Sequence, residues 1–307
     1  MKEKKTSIGG QALIEGIMMV GPRNSAMAVR APGGEIVLEE FQTKKNSRPK
    51  FFRAPLIRGA FNMFDSLRVG YRCLMRSAEL AGLEEDDKKE GKSFWDRLFS
   101  AVLMPLAVVL AFALGFFLFM YMPTQLYRWL QIPMPFLADQ RFIQSTFEGV
   151  VRIAIFVLYI WAISRMKDIH RTFQYHGAEH KTIFCYEQGK PLTVENIRAQ
   201  RRFHPRCGTS FLMLMLVVGI VVAIFIPTDI PTLLRVTIKV LCLPIVVSIG
   251  YELLKLAGRV DNTFTRVISA PGMWLQRITT QEPDDDMIEC AIAAMEKVIP
   301  GDGSDNW

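Results

Sequence analysis

The chain has 307 residues, of which half are hydrophobic and 22% are charged, and its formal net charge is +7. This length allows one large domain or two ordinary ones. The mean hydropathy of +0.19 is high for a soluble protein with this much charge, which indicates apolar blocks separated by charged ones, as in a membrane protein. The five cysteines are scattered and give no disulfide framework, so they are expected to be reduced thiols facing the cytosol.

The N-terminal residues 1–100 predict a small cytoplasmic region of mixed α and β structure. Two runs of strand-forming residues, 26–30 and 36–41, flank the turn-forming sequence APGGE and predict a β-hairpin. The preceding stretch GGQALIEGIMMVGPR matches neither the Walker pattern nor the dinucleotide pattern. It is therefore interpreted as a tightly packed turn rather than a phosphate-binding loop.

The hydrophobic period becomes helical over residues 55–81, and a charged linker, 84–92, follows. Arg68, Arg72 and Arg76 line one face of the helix, four residues apart. A basic amphipathic helix of this kind suits an anionic membrane surface or nucleic acid, and the alternative is a packed helix with a solvated basic face. Its predicted apolar stripe consists of Phe61, Phe64, Leu67, Tyr71, Leu74 and Ala78.

Four apolar segments predict four transmembrane helices, because about 20 mostly apolar residues are needed to cross the hydrocarbon core. The segments cover residues 101–122, 142–164, 211–227 and 233–254. The alternative for the last two is a buried hairpin in a soluble domain.

The distribution of Lys and Arg predicts the orientation of these spans. The segments before, between and after them carry, in chain order, 18, 2, 9, 0 and 5 basic residues. Because positively charged loops stay in the cytoplasm, both termini and the loop 165–210 are predicted to lie inside. The protein is thus expected in the cell membrane as a multi-pass protein.

All four histidines lie between His170 and His204, within that cytoplasmic loop. On a helix, His176 and His180 share one face and can reach one metal ion. The sequence HGAEH has the form H-x-x-E-H, in which two histidines bind zinc and the glutamate, here Glu179, polarises a water. His170 points elsewhere on the helix.

Further ligands are present in the same loop, where HPRC places His204 and Cys207 in H-x-x-C spacing. Together with the first pair they make a four-ligand set of N and S donors for zinc or a similar divalent transition metal, and Glu187 or Glu195 are possible replacements. Four protein ligands would make the metal structural, whereas three would leave room for a water.

Ionisable residues inside two predicted spans suggest that these spans are neighbours. Glu148 and Arg152 are four residues apart and can pair along the second span. Arg235 and Lys239 enter the fourth span from the same side, so Glu148 is predicted to lie between basic groups. The excess positive charge suits an anionic headgroup in the outer leaflet, and the alternative is snorkelling to the membrane surface.

Three sequence blocks, GGQALIEGIMMVGPR, YHGAEHKTIFCYEQGKPLTVEN and HPRCGTSF, resemble the signature blocks of the YqhQ-like family of bacterial multi-pass membrane proteins, a domain of unknown function. The resemblance runs from Gly9 to about Pro283. It implies a predicted metal-dependent enzyme without an established substrate. The HGAEH block of the family falls on residues 176–180 and the HPRCGTSF block on 204–211.

The sequence therefore predicts a mainly α fold, a four-span helical bundle with a small α+β cytoplasmic portion. It divides into an N-terminal region (1–100), a transmembrane region (101–254) and an interfacial C-terminal region (255–307) that contains an amphipathic helix. The expected function is a metal-dependent hydrolase with Glu179 as general base. The alternative is a non-catalytic assembly or scaffold factor with a structural metal or a hydrogen-bonded histidine loop. Its basic face would dock anionic lipid, a membrane partner or a ribosome-like polyanion.

Overall fold

The computed structural model describes residues 5–43, 52, 54–83, 94–137, 140–260 and 262–305, so the charged linker 84–92 lies outside the described residues. The fold is mainly helical, with one small antiparallel sheet near the N-terminus. The strands are β1 (Gly9–Leu13), β2 (Gly16–Val20), β3 (Asn24–Arg30) and β4 (Ile36–Gln42). The helices are α1 (Arg58–Leu80), α2 (Phe94–Phe116), α3 (Met122–Gln131), α4 (Arg141–Ile163), α5 (Lys167–Glu187), α6 (Val194–Arg198), α7 (Gly208–Ile224), α8 (Thr232–Leu241), α9 (Leu243–Arg259), α10 (Thr263–Thr279) and α11 (Asp285–Val298).

The chain divides into two compact units. The sheet unit combines residues 1–84, 160–214 and 248–307, and the apolar-helix unit combines residues 85–159 and 215–247. Each unit is therefore assembled from separate stretches of the sequence.

The sheet of the sheet unit has the strand order β1-β2-β3-β4, with every neighbouring pair antiparallel. The predicted hairpin is confirmed, because β3 pairs with β4 from Arg30↔Ile36 outward and Gly34, at φ +90°, lies in the turn. The glycine-rich stretch before it was expected to be a packed turn, and this expectation was wrong. It forms β1 and β2, joined by a tight turn in which Glu15 has φ 49°.

The two faces of this sheet are covered by different helices, and alternating side chains divide between them. One face packs on α5, α6 and α11 in the larger hydrophobic core, to which Ile17, Ala28 and Tyr175 contribute. The other face packs on α1 through a smaller cluster that includes Met27 and Cys73. The sheet is thus the middle layer of three, and α5 is held directly against it.

Helix α1 confirms the predicted helix but buries a different face. Its buried residues include Gly70, Cys73 and Ser77, which lie toward the sheet. Most of the predicted apolar stripe is exposed, with Phe64, Leu67 and Tyr71 each more than 60% accessible. The small residues permit close packing on the sheet, and the large apolar residues remain on the surface.

Two helices are long and apolar enough to cross a membrane, Pro105–Gln131 and Arg141–Ile163. A third candidate is the pair formed by α8 and α9, which is bent by 43°. The bend falls at Cys242, next to Pro244, which has no N–H to donate within a helix. Helix α7 is apolar but has 17 residues, or about 25 Å at 1.5 Å per residue, less than the roughly 30 Å hydrocarbon core. The described residues therefore give two or three candidate spans rather than clearly four.

The remaining helices include the histidine helix and the C-terminal helix. The chain turns at residues 164–166 before the histidine helix, α5, begins. The α5 helix ends near Gly189, at φ +67°, as expected from its glycine. The predicted C-terminal amphipathic helix is α11, which buries Ile288 and Met295 in the larger core.

Candidate metal centre

The candidate metal centre begins on α5, which holds two histidines one helical turn apart. His176 and His180 are both buried, and their ring centroids are 4.4 Å apart. The spacing follows from the helix, since residues four apart lie on the same face. The larger core fixes this helix through Tyr175 and Ala178, which flank His176.

Each of these two rings is oriented by a backbone carbonyl. The Nδ1 of His176 lies 2.8 Å from the carbonyl oxygen of Thr279, and the Nδ1 of His180 lies 2.6 Å from that of Arg202. A carbonyl oxygen can only accept, so Nδ1 carries a proton in both rings. The Nε2 atoms are thereby turned toward the centre, which is the arrangement that outer hydrogen bonds give to metal-binding histidines.

Cys207 completes the group from a different part of the chain. It lies immediately before α7, and its Sγ is 3.0 Å from the Nε2 of His176. The backbone N–H of Thr209 donates to the same sulfur at 3.4 Å. The ligand atoms of His176, His180 and Cys207 all lie within 4.8 Å of one another, close enough to hold one metal ion.

The electrostatics of these residues favour a thiolate. Burial lowers the pKa of His176, but Cys207 and Glu179 outweigh it and raise the pKa to about 9. Burial raises the pKa of Cys207, but His176 and His180 hold it well below its usual value. Both shifts favour the charged forms, an imidazolium on His176 and a thiolate on Cys207.

The chemical types of the three ligand atoms fit a zinc-class ion. Imidazole nitrogen and thiolate sulfur are the ligands that this ion prefers. The Nε2 of His180 is buried and has no hydrogen-bond partner among the described residues. A buried polar atom without a partner is costly, and a metal at the centre would supply one.

Glu179 is the acid beside this group. It is buried, and its carboxylate lies against Gly10 on β1. Its Oε2 has no hydrogen-bond partner among the described residues. Burial raises the pKa of Glu179, and the charges of His176 and His180 offset part of that shift. A carboxylate whose pKa is raised above its ordinary value accepts a proton more readily, which suits a general base.

His204, predicted as a ligand, lies beside the three-residue group and outside it. Its ring centroid is 5.6 Å from that of His180. The backbone N–H of Arg206 lies 3.3 Å from its Nδ1, and the Arg206 guanidinium lies 3.3 Å from its Nε2. Burial is the main reason that the pKa of His204 falls to about 4, so the ring is neutral.

The two alternative acidic ligands are also placed. Glu187 is buried, pairs with Arg206, and accepts from the backbone N–H of Thr6 at 2.8 Å. Its carboxylate is thus engaged in joining the N-terminal segment to α5. Glu195 is exposed on α6, whose N-terminus is capped by Thr193.

Several residues that shape the site were missed by sequence reasoning. Gln276 holds the chain before Cys207 by accepting from the His204 N–H and donating to its carbonyl oxygen, both at 2.7 Å. Gly10 touches Glu179, and Gly177 lies against the Gln281 carbonyl. The two carbonyls that orient the histidines have no sequence signal. The adjacent glycines at 9 and 10 did offer one, because they mark a place where chain segments approach closely.

The sequence of the chain matches a protein family that has already been described. The family described as a protein of unknown function (DUF1385) matches residues 54–300. The chain therefore belongs to the DUF1385 family. It is also 34% identical over 304 residues to the uncharacterized protein YqhQ of Bacillus subtilis (strain 168), covering 95% of this chain and 92% of that protein. The resemblance inferred from the three sequence blocks is confirmed. No solved structure matches the chain.

Proposed function

We propose that the protein is a metal-dependent membrane enzyme, a hydrolase whose site is the His176–His180–Cys207 group. The observation that supports this most directly is the free oxygen of a buried acid, the Oε2 of Glu179, next to three clustered metal-ligand atoms. Catalytic zinc sites typically have three protein ligands and one open position, whereas structural sites have four.

The proposed chemistry assigns a role to each residue. His176, His180 and Cys207 would hold a zinc-class ion. When bound, such an ion acts as a Lewis acid and lowers the pKa of a coordinated water. Glu179 accepts the proton of the attacking water at Oε2 and returns it to the leaving group. Gly10 leaves room for the carboxylate because it has no side chain, and the carbonyls of Thr279 and Arg202 fix the two rings.

The proposed location is the cell membrane, with four spans and with both termini and the metal centre on the cytoplasmic side. The two long apolar helices and the bent α8–α9 pair support three of the spans, and α7 is the proposed fourth. The distribution of basic residues supports the orientation. Helix α1, with exposed Phe64 and Leu67 next to exposed Arg68 and Arg72, would rest on the anionic inner surface.

The burial of the metal centre favours a second candidate function. His176, His180 and Cys207 are each at least 91% buried, as is typical of structural metal sites. On that basis the protein would be a non-catalytic assembly factor whose metal holds α5 against the start of α7. Both candidates require the metal, and they differ in whether Glu179 takes part in chemistry.

The first experiment tests the metal. The full chain, purified in mild detergent without a histidine tag, should contain about one zinc-class ion per chain by elemental analysis. His180→Ala and Cys207→Ser should reduce the metal content severalfold. His170→Ala and Cys242→Ser are matched controls, because His170 is exposed and Cys242 belongs to the apolar-helix unit. Both candidate functions would be overturned if the purified wild type contained no metal and if its melting temperature changed neither with chelator nor with added zinc.

The second experiment separates the candidates. Glu179→Gln keeps the shape of the side chain but removes the proton acceptor, and Glu195→Gln is the exposed control. Each variant is introduced into a strain lacking the gene, and protein level and metal content are measured alongside rescue. The enzyme proposal expects Glu179→Gln to retain metal and abundance but to lose rescue. Full rescue by Glu179→Gln would contradict the enzyme and leave the structural metal.

A further inference from the structure

The apolar-helix unit contains a group of charged side chains that are buried among apolar helices. This buried charge cluster consists of Glu148 and Arg152 on α4 and of Arg235 and Lys239 on α8. All four are at least 91% buried. Buried charges within apolar helices are expensive, so their presence points to a functional role.

Glu148 is shared between the two basic residues of α8, as the sequence predicted. Its Oε1 accepts from Arg235 Nη1 at 2.7 Å, and its Oε2 accepts from Lys239 Nζ. Gln144 also donates to Oε1, at 2.8 Å. The carboxylate therefore has three donors and is satisfied by residues of its own unit.

Arg152 is held separately. Its Nε donates to the carbonyl oxygen of Phe119 at 2.8 Å, in the π-helical turn Phe117–Tyr121 between α2 and α3. That carbonyl is available because Pro123, four residues on, has no N–H to offer it. Arg152 is thus anchored to the backbone, and the rest of its guanidinium remains in the cluster.

The cluster is left with excess charge and with unsatisfied donors. One carboxylate stands against three cations, so two positive charges are not compensated within it. Three buried guanidinium nitrogens have no partner among the described residues: Arg152 Nη2, Arg235 Nε and Arg235 Nη2. The fixed fork of a guanidinium matches the oxygens of a phosphate group, which can satisfy several such donors at once.

An apolar groove of about 420 Å³ adjoins the cluster. Phe119, whose carbonyl oxygen anchors Arg152, also lines the groove. Val240, another lining residue, directly follows Lys239 in α8. The groove is lined by Ala111, Phe112, Gly115, Phe116, Phe119, Met120 and Val240. A cationic site beside an apolar groove has the two chemical parts needed to hold a phosphate headgroup and an acyl chain.

We propose that the buried charge cluster is a membrane-embedded binding site for one phosphate-type anion. When the anion is the headgroup of a phospholipid, the adjoining groove takes part of an acyl chain. The site belongs to the apolar-helix unit and is independent of the metal centre, so it does not depend on the proposed enzymatic function.

The test is a titration of the full-length, delipidated protein in neutral detergent. The melting temperature of the protein is measured at each concentration of the probe. The three probes are phosphatidylglycerol in mixed micelles, inorganic phosphate, and diacylglycerol as an uncharged chain control. Stabilisation by phosphatidylglycerol alone identifies a lipid, and stabilisation by inorganic phosphate alone identifies a free anion. If neither phosphate-bearing probe stabilises the wild type, or if diacylglycerol does so equally well, the proposal is overturned.

Substitutions locate the effect. Arg235→Gln and Arg152→Gln should weaken binding by about tenfold or more, because each removes charge-assisted hydrogen bonds. Arg141→Gln is the control, an exposed cation at the start of the same helix as Arg152. Equal weakening in all three variants would place the anion elsewhere.

The groove is tested by Gly115→Leu, which adds a side chain where no atom lies within 4 Å of the new β carbon. This variant should weaken phosphatidylglycerol binding severalfold and leave the response to inorganic phosphate unchanged. Gly219→Leu is its matched control, since position 219 in α7 is equally open. If the wild type responds to phosphatidylglycerol and both leucine variants respond like it, the groove does not hold the chain.

Discussion

The carboxylate of Glu179 lies directly against Gly10. A β carbon at position 10 would stand 2.9 Å from the carboxylate carbon and 2.8 Å from the carbonyl oxygen of Met18. The glycine-rich N-terminal block and the HGAEH block, which are about 170 residues apart in the sequence, are therefore two halves of one arrangement. This contact explains why a strand residue with no side chain sits at the candidate metal centre.

Gly10→Ala should consequently impair function far more than Gly9→Ala. A methyl group at position 10 must displace the Glu179 carboxylate, whereas at position 9 it meets no atom within 4 Å. Displacement of a catalytic group by about 1 Å can cost on the order of 100-fold in rate. Rescue of a strain lacking the gene, compared at equal protein levels, measures the difference.

A double variant assigns the effect of Gly10→Ala to the acid. If the methyl group acts through Glu179, adding it to Glu179→Gln should cause little further loss of rescue. Additive losses would mean that Gly10 acts through the sheet, by way of its contact with Met18. Equal behaviour of the alanine variants at positions 9 and 10 would contradict the predicted role altogether.

The centre of the site could be predicted from the sequence because its parts are local. The four-residue spacing of His176 and His180 becomes a shared helix face, and the HPRC turn brings Cys207 to the same loop. The arrangement around His204 could not be predicted. Its ring lies close to the site, but Arg206 contacts both of its nitrogens. The Arg206 side chain is itself held by Glu187 and by the Thr6 carbonyl, which come from distant parts of the sequence.

The fold was predictable where periodicity and turn residues agree. The β3–β4 hairpin has alternating residues and a glycine turn, and α1 and α11 have helical periods. The β1–β2 hairpin was missed because its glycines suggest a turn. At Gly10 the glycine is instead required by a tertiary contact, since a side chain there would collide with Glu179. The third predicted span falls on α7, an apolar helix of 17 residues that is shorter than a usual span.

The ion pair between Glu187 and Arg206 should make stability depend on pH in the acid range. Burial raises the pKa of Glu187, but contacts with His204, Arg206 and the Thr6 N–H outweigh it and depress the pKa. A depressed carboxyl pKa gives stabilisation that is complete above the unfolded value of about 4.3 and is lost as pH falls through the folded value. Glu187→Gln should therefore cost about 3 kcal/mol near neutral pH, where it breaks a buried pair.

Melting temperatures recorded in detergent between about pH 7 and pH 3 measure this dependence. The gap between the wild type and Glu187→Gln should be widest near neutral pH and should close at the acid end. Glu195→Gln, at an exposed position, should follow the wild type throughout. A gap that stays constant down to pH of about 3 would show that the loss is one of packing rather than charge.

Cys207 should be the most reactive buried thiol once metal is removed. The histidines hold its pKa well below the usual value, whereas burial raises the pKa of Cys73 and Cys185 and raises that of Cys290 to about 11. Because the thiolate is the nucleophile, a small alkylating reagent at neutral pH should modify Cys207 before the other three buried cysteines. Mass spectrometry of the modified peptides after chelation, with and without added zinc, measures the order.

Zinc should slow the modification of Cys207 severalfold and leave the modification of Cys73, Cys185 and Cys290 unaffected. His176→Ala should slow it as well in the chelated protein, because the pairing cation is removed. Modification of Cys207 that is the same with chelator and with zinc would argue against the sulfur as a ligand.

The proposed orientation predicts which positions can be reached from outside the cell. The segments around Met134 and Asp229 carry few or no basic residues, whereas the loop 165–210 carries nine. Met134 and Asp229 are both exposed, so Met134→Cys and Asp229→Cys should react with a membrane-impermeant maleimide in intact cells. Glu195→Cys, exposed in the predicted cytoplasmic loop, should react only after the membrane is permeabilised. Cys242→Ser in all three variants removes a partly accessible native thiol. Labelling at position 195 in intact cells would place the metal centre outside the cell. This result would contradict the cytoplasmic location of the proposed reaction.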